Sequence, residues 1–183
     1  MTIRAIIGTV AVLAGFAVLE RSVDASTGQA GSCKATQAYA TLHPGDRIVV
    51  RAQPTPEAAV LGVISAGTSA DLTTATVTMN SSMSGWARIA LNTAQDYTAL
   101  DATAPRSFGW IPADQLAVDT RVDGTITTYS RPSLMGVVTG KIDHEDKMFR
   151  VLGCRGDLLQ VINASQGNTW IDKWCSKAEG CRS

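Results

Sequence analysis

The chain has 183 residues, 45% hydrophobic, 17% charged and 5% aromatic, enough for one medium or two small domains. That composition excludes a disordered, collagen-like or polytopic membrane protein. Sixteen basic and sixteen acidic side chains cancel, and the balance holds locally, five against six over residues 31–118 and nine against eight over 119–183. Neither half carries a basic footprint for nucleic acid or anionic lipid.

In chain order, Arg4 precedes Ala5 to Leu19, fifteen residues without a charge. The run is shorter than the roughly 20 apolar residues that span a bilayer, and it has the length of a secretory h-region. Val23-Asp24-Ala25 fits a cleavage site best, which predicts a signal peptide over 1–25, with Gly28-Gln29-Ala30 as the alternative end. The mature chain is therefore expected to be exported, periplasmic or extracellular, without stable membrane insertion.

Export governs the reading of Cys33, Cys154, Cys175 and Cys181, an even set for which two disulfides are the expectation. No Cys-x-x-Cys or His-x-x-x-His spacing occurs, and His43 and His144 stand apart, so no metal site is expected. Four cysteines allow three pairings, all open at this point. Joining Cys175 to Cys181 closes a short loop, whereas joining Cys33 to Cys154 would restrict the unfolded chain far more, which favours that combination.

Downstream, apolar runs are short, rich in β-branched residues and punctuated by Gly, Pro, Asn, Asp and Ser. Strands are predicted over 47–51, 60–64, 71–78, 86–91, 107–111 and 116–118, and then over 124–129, 137–142, 149–154, 158–163 and 169–171. Such spacing suggests an all-β protein of small barrels or a sandwich.

The two sets repeat in order. Val50-Arg51-Ala52-Gln53-Pro54 and Tyr129-Ser130-Arg131-Pro132 each place an arginine and a proline after a β-rich run. Val60-Leu61-Gly62-Val63-Ile64 matches Val138-Thr139-Gly140-Lys141-Ile142, Gly85-Trp86 matches Asp157-Leu158, and Gly109-Trp110-Ile111 matches Thr169-Trp170-Ile171. The divide is expected near Asp119–Asp123.

This succession of Val-Arg-x-x-Pro, hydrophobic-Gly-hydrophobic, Gly-Trp-x-x-Ile and Gly-Trp-Ile resembles the bacterial Src-homology-3 domain. The resemblance covers roughly residues 38–181. It implies two tandem Src-homology-3-like barrels, at 38–118 with a long insertion near 92–106 and at 121–183 with a cysteine-containing tail. The second copy departs at Glu145, Leu158 and Thr169, where the first has Gly67, Trp86 and Gly109. In so small a barrel a tryptophan would supply much of the buried area, so Trp86, Trp110 and Trp170 are expected in the core.

Catalytic signatures are missing. There is no Gly-x-Ser-x-Gly, no phosphate-cradling glycine loop and no cysteine without a prospective partner, so neither an enzyme nor a cofactor is expected. Asp143-His144-Glu145-Asp146 reads as a solvated turn, and Arg155-Gly156-Asp157 as a hairpin tip. Binding remains. The resemblance implies a shallow peptide groove of Tyr97, Trp110, Tyr39 and Arg51, with Trp174 as a further contact. The expected partner is peptidoglycan stem peptide or an envelope protein, bound by a monomer; a structural spacer and a secreted inhibitor using Asn92–Arg106 are the alternatives. Exposed neighbouring aromatics would favour the binder, and an enclosed Tyr97 and Trp174 the spacer.

Overall fold

Alternating apolar and polar positions bounded by turn residues fold into strands throughout the computed structural model, which describes residues 31–66, 73–133, 135–142, 148–164, 167–178 and 181. The expected signal peptide and the Asp143–Asp146 cluster lie outside those residues. The first half contains β1 (Gly31–Leu42), β2 (Arg47–Arg51), β3 (Val60–Ser65), β4 (Thr73–Met83), β5 (Trp86–Ala90), β6 (Tyr97–Ala99), β7 (Phe108–Pro112), a 3-10 turn (Ala113–Gln115) and β8 (Leu116–Asp119). The second contains β9 (Ile126–Tyr129), β10 (Val138–Ile142), β11 (Met148–Arg155), β12 (Leu158–Asn163) and β13 (Gly167–Ile171). The protein is all-β, as its turn-punctuated runs predict. β1 and β6 are additions to the expected set. Three alanines, a glycine and a lysine weaken the β-propensity of β1, and β6 is too short to carry a pattern.

The strands form one antiparallel ladder in the order β10-β9-β13-β12-β11-β8-β1-β4-β5-β7-β2-β3-β6. The ladder is open, ending at β10 and β6, so it is a continuous sheet and not a closed barrel. Read outward from the β8–β1 junction, the order β4-β5-β7-β2-β3 on one side answers β11-β12-β13-β9-β10 on the other.

Register makes the correspondence residue by residue. The β2–β3 pairs Ile48↔Ile64 and Val50↔Gly62 become Ile126↔Ile142 and Thr128↔Gly140, with the same irregularity one step later. The connecting loops repeat their backbone bonds: Ala52 N–H to Ala59 carbonyl (2.9 Å) is answered by Ser130 to Val137 (3.0 Å), and Ala58 to Thr55 (3.2 Å) by Gly136 to Ser133 (2.8 Å). In the hairpins, Met79↔Ile89 and Met83↔Trp86 become Val151↔Val161 and Arg155↔Leu158, each with one bulge. The first hairpin turns on Ser84 and Gly85, both at positive φ, the type I′ pattern, and the second on Gly156 alone, the II′ pattern. Arg155-Gly156-Asp157 is thus a hairpin tip. These pairings align Arg51 with Tyr129, so the arginine shared by the sequence segments is not a structural match.

One buried cluster runs across both halves, from Ile48, Val50, Ile64, Val77 and Ile89 to Val118, Ile126, Phe149, Leu159 and Ile171. At the divide expected near Asp119–Asp123, Asp119 and Thr120 are buried. The Asp119 carboxylate accepts two bonds from the Arg121 guanidinium at 2.8 Å each, and Asp119 exchanges backbone bonds with Cys175 (2.8 and 2.9 Å). Disulfides join Cys33 to Cys154 and Cys175 to Cys181, as favoured from loop length. The first ties β1 to β11 across 121 residues of sequence.

Two losses follow from this packing. Phe149→Ala should destabilise by about 3–5 kcal/mol, since Phe149 is fully buried. Removing the long-range disulfide with Cys33→Ser plus Cys154→Ser should lower stability by about 4 kcal/mol. Urea unfolding of each variant measures both; losses under about 1 kcal/mol would contradict the assignment.

Candidate functional site

Strands β5 and β7 alternate in burial, and the alternation separates their tryptophans from the core. Ala87, Ile89, Gly109 and Ile111 point inward, leaving Trp86, Arg88, Phe108, Trp110 and Pro112 on the opposite face. Trp86 pairs with Pro112, Arg88 with Trp110 and Ala90 with Phe108, so the outward side chains form adjacent rows. The Arg88 guanidinium lies 4.2 Å from the centre of the Phe108 ring, a cation–π contact, and Phe108 is 40% exposed. Gly109 lets the neighbouring strand approach, because a Cβ there would run into Val50.

Arg51 extends the face from β2, where it pairs with Trp110, and its Nη1 donates to the Ala58 carbonyl at 2.8 Å. A depression of about 360 Å³ adjoins this point, lined by Arg47, Val49, Arg51, Pro56, Trp86 and Pro112 among others. Aromatic rings, prolines and cations converge here without a titratable nucleophile–base pair. Such a surface suits an extended chain: rings and prolines offer flat apolar contact, while the arginines can meet carboxylates or carbonyls.

The five residues expected to form the groove do not meet in one place. Trp110 and Arg51 are direct neighbours on the face just described. Tyr39 lies elsewhere: it is only 2% exposed, on the face of β1 opposite Ala38 and Ala40, where it lines a depression with Thr41, Asp119, Arg121 and Met148, away from Trp110. Tyr97 lies on β6, where its hydroxyl donates to the Leu61 carbonyl at 3.2 Å. It lines a separate cavity of about 400 Å³ built by the Asn92–Arg106 insertion against Val60 and Leu61. Trp174 is half-buried beside β1, its Nε1 donating to the Gln37 carbonyl at 3.2 Å. Trp86, Trp110 and Trp170 are also corrected, from core to half-buried positions. Trp86, Arg88 and Phe108 were missing from the expected groove. The signal for them was the period of two in Trp86-Ala-Arg-Ile89, which places Trp86 with the charged Arg88, away from Ile89.

The face belongs to the first half alone. At the equivalent positions Trp86 becomes buried Leu158, Arg51 becomes Tyr129 and Pro112 becomes Asp172, which accepts from the Tyr129 hydroxyl at 3.2 Å. The Arg88–Phe108 contact becomes a Gln160–Asn168 amide hydrogen bond of 3.0 Å. Comparison of the chain with protein-family models, curated proteins and solved structures finds no match.

Arg88→Ala and Trp110→Ala should remain folded, losing well under the roughly 3–5 kcal/mol of a fully buried aromatic; urea unfolding checks this, and an unfolded Trp110→Ala protein would return that residue to the core. Burial pushes the phenols of Tyr97 and Tyr129 up, Tyr129 also through the Asp172 carboxylate. A phenol raised in the fold stabilises it fully below the unfolded value of about 10 and loses that contribution as pH rises through the folded value. Stability should therefore fall above about pH 10, and the fall should shrink in Tyr97→Phe, as measured by melting temperature against pH.

Proposed function

We propose that this chain is an exported, non-catalytic binding module of two Src-homology-3-like units, whose first unit takes an extended peptide of the cell wall or of an envelope protein. The observation that carries the reading is the outward strip of Trp86, Arg88, Phe108 and Trp110, continued by Arg51 and by the proline-lined depression beside it. Flat aromatic and proline contacts for an extended chain are the working parts of groove recognition in small barrels of this type. The order of elements supports the unit assignment: a long loop between β2 and β3, the tight β4–β5 hairpin, and the 3-10 turn between β7 and β8. Two disulfides fit an oxidising compartment. Phe108, exposed, with Trp86 and Trp110 half-buried beside it, gives the neighbouring aromatic surface that a binder needs.

The spacer reading draws on a different observation, the sharing of β8 between the halves, which leaves no hinge between them. A secreted inhibitor would require an ordered Asn92–Arg106 segment; β6 holds part of it against β3, and protease resistance of the loop is the check on this reading.

Incubating the oxidised protein with purified insoluble peptidoglycan across a salt series tests the proposal. Retention should survive moderate salt, and Trp86→Ala should weaken it about tenfold or more without changing the circular dichroism spectrum. No retention would sink the wall-peptide reading, and retention unaffected by Trp86→Ala would remove this face from it.

A further inference from the structure

The open edge of β10 is the second feature the repeat isolates, and it is independent of the Trp86 face. In the first half the equivalent strand, β3, is not an edge. β6 covers it, pairing Tyr97 with Ile64, Thr98 with Val63 and Ala99 with Gly62. The Leu100 N–H donates to the Leu61 carbonyl at 2.9 Å, the same carbonyl that accepts the Tyr97 hydroxyl. Gly62 is required for this seat. A Cβ there would lie 2.6 Å from Tyr97 Cε2 and 2.8 Å from its hydroxyl, and would collide with the Thr98 carbonyl.

β10 repeats the seat without the occupant. Gly140 stands where Gly62 stands and Ile142 where Ile64 stands, with the same irregularity in the pairing to the strand behind. Among the described residues a Cβ on Gly140 would meet only Thr128 Oγ1, at 3.2 Å, and none of them stands where Tyr97 presses in the first half. β10 has β9 as its one strand neighbour among the described residues and ends the ladder. The apolar residues beside it are uncovered: Val137 is 72% and Val138 52% exposed. Natural sheets seldom leave an edge of this kind open. Where Val63 faces Thr98, β10 has Lys141, exposed and without an ion pair among the described residues.

We propose that the β10 edge is a strand-addition site for an extended segment of a partner protein, carrying an aromatic residue, then an acidic one, then a small one. The segment would add antiparallel to β10, as β6 adds to β3. Its aromatic residue would lie opposite Ile142 and lean over Gly140, with a tyrosine hydroxyl directed at the Thr139 carbonyl, the counterpart of Leu61. Its acidic residue would face Lys141, and its small residue would lie opposite Gly140. Main-chain bonds supply attraction in such additions, and alternate side chains supply selectivity.

The chain itself provides the probe. A synthetic peptide with the sequence of residues 95–101 carrying Thr98→Glu would be titrated into the oxidised full-length protein while backbone amides are followed by nuclear magnetic resonance. Shifts should concentrate on Val138–Ile142, Lys141→Glu should weaken binding about tenfold, and Tyr97→Ala in the peptide should abolish it. Lys141→Pro removes the outward N–H of an edge strand, which tolerates proline, and should block addition with the remaining amide spectrum retained. Absence of shifts along β10 at millimolar peptide would overturn the proposal. So would shifts confined to other strands, or a concentration-dependent dimer abolished by Lys141→Pro, since the edge would then belong to a second copy.

Discussion

Leu116–Asp119 is hydrogen-bonded along both edges, to β1 on one side and β11 on the other, and all four residues are buried. β8 closes the first repeat, where it lies beside β1 after the 3-10 turn. It also opens the second, where it lies beside β11 as β1 lies beside β4. Its end at Asp119 meets Cys175, so the C-terminal tail stands to β8 as β8 stands to β1. Sharing a strand removes one pair of exposed edges and lets one apolar cluster run through both halves, a solution to the small core available to either half alone. The Cys33–Cys154 bond and the Ser82 hydroxyl, which accepts from the Cys154 N–H at 2.9 Å, reinforce the seam from the neighbouring strands.

Upon this common frame the halves have diverged at the surface. Positions that carry Trp86, Arg88, Phe108 and Arg51 in the first half carry Leu158, Gln160, Asn168 and Tyr129 in the second, with the inward face still apolar in both. The first half holds an aromatic and cationic face and a covered β3 edge. Among the described residues the second holds neither, and its β10 ends the ladder.

Much of the strand content was legible because β-branched runs and turn residues are local signals, and most predicted strands differ from the observed ones by only one or two residues at each end. The pairing of the halves was legible too, through Gly62 with Gly140 and Trp110 with Trp170. β1 was not, since its alanines fill a crowded position between β4 and β8 that only the tertiary structure defines. Nor was the groove. Size and aromaticity placed the tryptophans inside and Tyr39 outside, whereas the pleat puts Trp86 beside Arg88 and puts Tyr39, only 2% exposed, on the face of β1 opposite Ala38 and Ala40. The open ladder likewise depends on the long-range β8 pairings, which no local pattern encodes.

Hydrogen exchange by mass spectrometry in increasing urea tests the shared strand most directly, because it reads the opening of each half separately. Amides of β1, β8 and β11 should be the last to exchange, and both halves should lose protection in one coincident transition. A second half that exchanges fully at urea concentrations where β1, β4 and β5 remain protected would contradict the account, showing that β8 joins the repeats without making them a single folding unit.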